Sequence, residues 1–162
     1  MIYKLLGFEE GFEKQVYRCT EGYPTIGKGT KVGPKGAPLK YYQFVFTEKI
    51  ADAFLEEDLR NARNRLIHEP WYVGLNEDRQ TIIKSMAYQM GVDGLFKFKK
   101  MIAALGKGDW NEAAHQALDS RWAKQTPARA ERHAAVIANG NLMEVYEGCL
   151  LYTSPSPRDT RE

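Results

Sequence analysis

Apolar residues recur at helical spacing over most of the chain, whereas β-favouring residues are concentrated near the N-terminus. Residues 2–10 follow helical spacing and stop before Gly11, so they predict a short first helix. Residues 15–29 contain short β-favouring runs separated by a turn at Gly22, and they predict a hairpin or small sheet. Residues 30–46 predict a loop followed by a strand or a short helix.

A long helix is predicted to begin after Thr47, which is a good N-cap residue, and to extend to about residue 67. Acidic residues lead and basic residues trail along this segment, in the order that the helix dipole favours. His68 to Trp71 breaks the pattern, and Pro70 is expected to end the helix. The stripe predicted to be buried consists of Ile50, Phe54, Leu55, Leu59, Ala62 and Leu66.

The rest of the periodic sequence predicts helices only. Asp109 and Glu112 form a capping-box pattern, and Pro127 occupies the favoured first position of a helix capped by Thr126. Gly106 is expected to end the helix that precedes Asp109. The predicted spans are 76–90, 95–105, 109–120, 126–139 and 141–147.

These elements predict an α+β, mainly helical fold of two lobes, and a junction between lobes is a common place for a substrate cleft. The N-terminal α/β lobe is predicted at 1–46, the connecting helix at 47–69 and the helical lobe at 70–148. Residues 149–162 are rich in Ser, Pro and Arg and lack periodicity. They are interpreted as a non-native addition, with a native disordered tail as the alternative.

Composition and charge exclude several classes of function. The net charge is only +2, which does not favour nucleic acid binding. The N-terminus is too short and too acidic for a signal peptide or membrane anchor, so we expect a soluble cytoplasmic chain. Cys19 and Cys149 lack metal-ligand spacing, and a disulfide between them is left open. His68, His115 and His133 also lack ligand spacing and are expected at the surface or the cleft edge.

Glu10 is the first candidate for chemistry, because it ends the first helix just before the predicted hairpin. Hydrolysis of a glycosidic bond needs a protonated acid on one side of the bond and a group that steers water on the other. A carboxyl half-buried at a cleft edge favours its protonated form. Taken alone, a glutamate near a helix end is usually only solvated.

Three segments together resemble the T4-type phage lysozymes, the endolysins of glycoside hydrolase family 24. In EGFEKQVYRCTEGYPTIGKG, Glu10, Cys19 and Thr25 are separated by eight and five residues, which matches the family pattern of Glu, then Asp or Cys, then Thr. SRWAKQTPARAER (120–132) and AYQMGVDGLFKF (87–98) resemble two later segments of the family. The likeness covers residues 1–148 and is weakest at 30–46.

This resemblance implies a lysozyme-like fold and a muramidase that hydrolyses the β-1,4 bond from N-acetylmuramic acid to N-acetylglucosamine in peptidoglycan. Glu10 would be the general acid, Thr25 would hold the attacking water, and Cys19 would position or activate that water. Arg129 would be the cationic partner of Glu10, and Glu21 and Arg121 would face each other across the cleft mouth. The implied groove residues are Tyr88, Gln89 and Gln116, with Tyr17 in support.

Cys19 is the position that leaves alternatives open, because the best-known member of the family has Asp there. An unperturbed thiol is only about 3% thiolate at pH 7. Nearby charge or hairpin amides could lower its pKa, the sulfur could attack the anomeric carbon itself, or the rate could be low. Since the family pattern admits Cys, we expect an active enzyme. The competing readings are a catalytically impaired wall-binding protein and a lytic transglycosylase.

The resemblance also implies the biological setting. No metal and no organic cofactor is expected, and the chain is expected to be a monomer that does not bind nucleic acid. The protein would be made in the host bacterial cytoplasm and would act on the cell wall after the membrane is permeabilised. A separate pore protein would be needed for its export during host lysis.

Overall fold

The computed structural model describes residues 1–151, with side-chain surroundings described as far as Gly148. Over this range the chain is a mainly helical α+β protein with one small antiparallel sheet, which confirms the predicted fold class. No described helix is long and apolar enough to span a membrane. The elements are α1 Ile2–Glu10, β1 Glu13–Arg18, β2 Pro24–Gly27, β3 Thr30–Lys31, a 3-10 helix Leu39–Tyr41, α2 Glu48–Leu66, α3 Pro70–Val73, α4 Glu77–Met90, α5 Val92–Phe96, α6 Lys99–Lys107, α7 Trp110–Leu118, α8 Arg121–Gln125, α9 Pro127–Asn139 and α10 Leu142–Leu151.

The sheet follows directly from the turn-rich segment after α1. Strands β1, β2 and β3 are adjacent in sequence order and antiparallel, with Tyr17 opposite Thr25. The register shifts between Glu13 and Tyr17, which marks an irregularity in β1. The segment 30–46 supplies a 3-10 helix and an isolated bridge from Val45 to Gln15. The predicted sheet is therefore confirmed, and its third strand is very short.

Two apolar clusters support the fold. The smaller one lies under the sheet and consists of Phe12, Ile26, Phe46 and Ala51. The larger one fills the helical part and also contains Ile2, Leu5 and Leu6 of α1. Helix α1 thus packs against α4 and α10, although it immediately precedes the sheet. The lobe boundaries at residues 46 and 69 stay predictions.

Helix α2 begins where it was predicted, because the Thr47 hydroxyl accepts a hydrogen bond from the Ile50 amide at 3.2 Å. Its buried face differs from the predicted stripe, since Ile50 and Phe54 are 41% and 45% exposed and Ala51 is fully buried. Helical spacing back from Leu55 leads to Ala51 at four residues, so the face rotates away from the two larger side chains. The Phe54 ring instead stacks on Phe46 with centroids 5.1 Å apart.

The helical part contains more breaks than the sequence predicted. Helix α2 ends at Leu66, and Pro70 opens the short helix α3 at its first position. The predicted helix 95–105 is wrong as a single element, because α5 and α6 are separate and α6 ends at Gly108 in the left-handed conformation. An unpredicted helix, α8, precedes α9. Thr126 occupies the N-cap position of α9, but its hydroxyl donates to the Trp122 carbonyl and makes no capping hydrogen bond to an amide of α9.

The other helix starts are confirmed. The Asn76 side chain accepts from the Arg79 amide at 2.9 Å, and Asp109 accepts from the Glu112 amide at 3.3 Å. Cys19 is a free cysteine. The disulfide alternative, which needs Cys19, is therefore not formed in this structure. Residues 152–162 lie outside the described residues, so the interpretation of the tail stays a prediction.

Candidate active site

A cleft of about 860 Å³ separates the sheet from the helical part. Its lining comes from the end of α1, the strands and their turns, α2, α4 and α9. A cavity of this size falls within the range of ligand-binding clefts. Among the residues that the sequence singled out, the cleft is lined by Glu10, Tyr17, Cys19, Glu21, Thr25, Tyr88, Gln89 and Arg129.

Glu10 occupies the last turn of α1, which ends because Gly11 adopts a positive φ of 67°. The Arg129 guanidinium donates from Nη1 to Glu10 Oε1 at 2.7 Å, and the side chains of Arg129 and Glu10 are 8% and 16% exposed, respectively. The other carboxyl oxygen lies against Gly29, where a Cβ would come within 2.6 Å of Oε2. The carboxyl is therefore held on one side by a charge-assisted hydrogen bond and covered on the other by backbone.

Thr25 lies in β2 and is almost fully buried. Its hydroxyl donates to the Tyr23 carbonyl at 2.9 Å, which leaves the oxygen lone pairs able to accept a hydrogen bond from water. Cys19 lies across the same turn, with its amide donating to the Tyr23 carbonyl and its carbonyl accepting from the Gly22 amide, both at 2.9 Å. These bonds fix the turn that places both side chains in the cleft.

The electrostatics of the turn act on the Cys19 thiol. Burial acts to raise the pKa of Cys19, but hydrogen bonds from the backbone at Tyr23 and Glu21 lower it. The Thr25 hydroxyl also lowers it when its single proton turns from the Tyr23 carbonyl to the Cys19 sulfur. The positive charge of Lys31 lowers it further, and the net effect is a pKa below the ordinary value. Of the outcomes that the sequence left open, a thiol with enhanced thiolate character is the one these surroundings favour.

Tyr88 and Gln89, both on α4, form part of the cleft wall. The Tyr88 hydroxyl donates to the Lys28 carbonyl and thereby joins α4 to the turn between β2 and β3. Burial, with the nearby charge of Glu10, raises the pKa of Tyr88, so it remains a neutral hydrogen-bonding group. The Gln89 side-chain oxygen accepts from Trp122 Nε1 at 2.8 Å, and this bond fixes the orientation of the Gln89 amide at the cleft wall.

Gln116 and Arg121 are not brought into this cleft. Both line a neighbouring depression of about 430 Å³, and the largely buried Trp122 forms part of its wall. The Gln116 amide donates to Glu112 at 2.7 Å. Glu21 pairs with Lys31 at 3.4 Å, and the described residues show no ion pair between Glu21 and Arg121. A hydrogen bond joins the walls of the two depressions, because Gln89 lines the cleft and its partner Trp122 lines the neighbouring depression.

Several buried polar residues beside the site were not predicted. Ser85 bonds to Arg129, and Glu9 pairs with Arg132 at 2.5 Å. His133 was expected at the surface or the cleft edge, but it is fully buried between Ser85 and Tyr146, so that prediction is wrong. Its helical spacing from the apolar residues Ala130 and Ile137 is a sequence signal that could have indicated an inward side chain.

The described residues contain no group of three or more His, Cys, Asp or Glu side chains that could hold a metal ion.

Comparison with known proteins tests the resemblance. The family model described as phage lysozyme matches residues 8–135. The pre-baseplate central spike protein of Enterobacteria phage T4 is 35% identical over 159 residues, which cover 86% of this chain and 28% of that protein. The chain thus spans little more than a quarter of the length of that relative.

Two relatives of similar length come from Dictyostelium discoideum. Probable T4-type lysozyme 1 is 30% identical over 87% of this chain and 95% of its own length, and probable T4-type lysozyme 2 is 29% identical over 86% and 95%. These findings confirm the resemblance and the enzyme class that it implied. The chain belongs to the phage lysozyme family, a family of glycoside hydrolases.

Proposed function

We propose that the chain is an endolysin that hydrolyses the β-1,4 bond between N-acetylmuramic acid and N-acetylglucosamine in bacterial peptidoglycan. The observation that carries the proposal is the joint placement of Glu10, Cys19 and Thr25 in one cleft, with Arg129 bonded to Glu10. The names of the two Dictyostelium relatives agree with this activity.

In the proposed reaction, Glu10 gives its proton to the oxygen of the leaving N-acetylglucosamine as the bond from that oxygen to the anomeric carbon breaks. A water held by the Thr25 hydroxyl oxygen forms the new bond to the anomeric carbon. The Cys19 thiolate accepts the proton that this water releases. Attack by water from the other side of the sugar inverts the configuration at that carbon.

The direct test is digestion of purified peptidoglycan, with the soluble products identified by mass spectrometry. We expect fragments that end in a reducing N-acetylmuramic acid, and we expect none with Glu10→Gln. Glu57→Gln, which changes an exposed glutamate on α2 paired with Arg60, is the matched control and should digest at the wild-type rate. Products with a 1,6-anhydro ring would replace the proposal with a transglycosylase.

A separate set of experiments tests the role of Cys19. Cys19→Asp should retain hydrolysis, because a carboxylate can hold and deprotonate water, whereas Cys19→Ala should lose most of it. Proton NMR of the first-formed anomer should show inversion, and retention would assign the sulfur as a nucleophile. Wild-type protein that sediments with the wall but releases no fragments would be a wall-binding protein.

Host lysis is the wider part of the proposal. We infer that the protein, as a monomer, acts from the bacterial cytoplasm and reaches the wall once a separate pore opens the membrane. In bacteria that express it, we expect the culture to clear only after the membrane is permeabilised with chloroform, and not with Glu10→Gln. Clearing without permeabilisation would contradict the need for a separate pore.

A further inference from the structure

A chain of buried hydrogen bonds connects Arg129, the partner of Glu10, to Glu9. Arg129 Nη2 donates to Ser85 Oγ at 3.1 Å, and Ser85 Oγ lies 2.7 Å from His133 Nε2. His133 Nδ1 lies 2.8 Å from the Tyr146 hydroxyl, which donates to Glu9 Oε2 at 2.8 Å. Two glutamates adjacent in sequence are thus joined by a route through α4, α9 and α10.

The chemistry of the two ends sets one direction for the whole chain. A guanidinium can only donate, so Ser85 Oγ accepts from Arg129 and must give its own proton to His133 Nε2. At the other end, the Glu9 carboxylate accepts from Tyr146, so the Tyr146 oxygen is left to accept from His133 Nδ1. Both ends therefore require the same neutral tautomer of His133, with its proton on Nδ1.

The surroundings keep this arrangement isolated from solvent. Ser85, His133 and Tyr146 are fully buried, and the Glu9 side chain is 2% exposed. Burial lowers the pKa of His133 well below its ordinary value, and the charges of Arg129 and Arg132 lower it further. In such a medium each hydrogen bond polarises the next, and an interrupted bond is not replaced by water.

Arg129 depends on this chain for its position. Its Nε is buried without a hydrogen-bond partner among the described residues. The guanidinium is held by Glu10 at Nη1 and by Ser85 at Nη2. Without an oriented Ser85 acceptor, the Arg129 guanidinium keeps only its hydrogen bond to Glu10, and no second bond fixes its own position.

We propose that His133 is a positioning residue for the reaction: its Nδ1–H tautomer orients the Ser85 hydroxyl to accept from Arg129, and Arg129 thereby holds the Glu10 carboxyl in the geometry for proton transfer. The effect on rate rests on the proposed function of Glu10. The tautomer and the hydrogen-bond direction do not rest on it, so they are tested separately.

The first test is nitrogen-15 NMR of the His133 imidazole in the wild-type protein. We expect a protonated Nδ1 and an unprotonated Nε2, unchanged between pH 5 and pH 8. An Nε2–H tautomer, or an imidazole that takes up a proton in this range, would overturn the proposal. This readout needs no activity, so it remains decisive even if the protein does not hydrolyse peptidoglycan.

The second test separates positioning from folding stability. Ser85→Ala and Tyr146→Phe break the chain while keeping the shape of the core. We expect each to lower kcat by about tenfold or more, with KM changed less than twofold, because a misplaced acid slows the chemical step. The double variant should be no slower than the slower single variant, since both act through one chain.

Three further variants complete this test. His133→Gln keeps one acceptor and one donor and should recover most of kcat, whereas His133→Leu should not. Tyr72→Phe, at another buried tyrosine in the same apolar cluster, is the matched control and should leave kcat unchanged. Equal kcat in Ser85→Ala and wild type, or losses in Tyr72→Phe that match those in Tyr146→Phe, would reduce the chain to a structural role. An inactive wild type with the expected tautomer would refute the proposed function alone.

Discussion

At the scale of single residues, the site depends on what lies immediately around two reactive groups. Glu10 is confined by Arg129 on one side and by the backbone of Gly29 on the other. Cys19 is surrounded by hydrogen-bond donors and by the charge of Lys31. Each environment can be altered without touching the reactive group itself.

The close approach of Gly29 to Glu10 predicts that Gly29→Ala strongly lowers the activity. The new Cβ would meet Oε2 at 2.6 Å and displace the carboxyl, and displacement of this kind costs about 100-fold in kcat. Gly36→Ala is the matched control, because Gly36 also has a positive φ but has nothing within 4 Å of its Cβ position. Both variants should lose about 1–2 kcal/mol of stability in urea unfolding from the left-handed backbone alone. Equal activity in the two variants would contradict the contact.

The lowered pKa of Cys19 predicts fast alkylation near neutral pH. In a Cys149→Ser background, the rate at which Cys19 reacts with iodoacetamide should rise at a lower pH than the rate for a cysteine with an ordinary pKa, because the thiolate is the reactive form. Lys31→Ala should move this rise to higher pH, and Lys124→Ala, at an exposed lysine outside the cleft, should not. Hydrolysis should fall in step with the modification. A fully alkylated protein with unchanged activity would exclude a catalytic role for the sulfur.

At the scale of elements, helices α4 and α9 each contribute two side chains from one face to the site and its surroundings. Helix α4 contributes Ser85 and Gln89, and α9 contributes Arg129 and His133. Each pair is four residues apart, so both members lie on the same face of their helix. The C-terminal end of α9 is in turn held by Arg79 of α4. The site therefore depends on the mutual placement of these two helices.

Arg79 is predicted to stabilise this pair without acting on the reaction. Its guanidinium donates to the carbonyls of Ile137 and Ala138 at 2.7 and 3.2 Å and lies 3.8 Å from the centroid of the Trp110 ring. Arg79→Ala should lower the free energy of unfolding by about 2 kcal/mol, since it leaves buried carbonyls without donors. Arg60→Ala, at an exposed arginine on α2, should change it by less than about 0.5 kcal/mol. A changed kcat in the folded Arg79→Ala protein would contradict a purely stabilising role.

At the scale of the whole molecule, residues at opposite ends of the chain complete one core. Glu9 of α1 meets Arg132 of α9 and Tyr146 of α10, and α1 packs within the larger apolar cluster. His133 lies inside that core as a neutral imidazole. Unfolding releases it to water, where it can take up a proton.

This burial predicts a loss of stability in mild acid. The pKa of His133 is lowered in the folded protein, so its contribution is complete above the ordinary histidine pKa near 6.5 and is lost as the pH falls below it. The free energy of unfolding should lose about 1.4 kcal/mol per pH unit from this group in that range. The difference between wild type and His133→Gln, measured by urea unfolding from pH 7 to pH 5, isolates the effect. His115→Gln, at an exposed histidine, should keep the wild-type slope.

The local elements were predictable because neighbouring residues determine them. The caps at Thr47, Asn76 and Asp109 act on amides only three residues away. Glu10, Cys19 and Thr25 are placed by a helix end and a tight turn that are close in sequence, so a sequence motif can record their spacing. What could be read along the chain was therefore most of the helices, the sheet and the family, and the residues proposed to react come from the same linear pattern.

Only the tertiary structure decided which distant groups meet. Arg129 lies 119 positions from the carboxyl that it holds, and no periodicity indicates that pairing without the resemblance. His133 shares a face of α9 with the buried residues Ala130 and Ile137, but only the packing of α4 and α10 against α9 supplies the polar partners, Ser85 and Tyr146, for its imidazole. Gln116 falls outside the main cleft for the same reason. Helix formation is a local equilibrium, whereas the partner of a buried polar group is settled only when the helices pack.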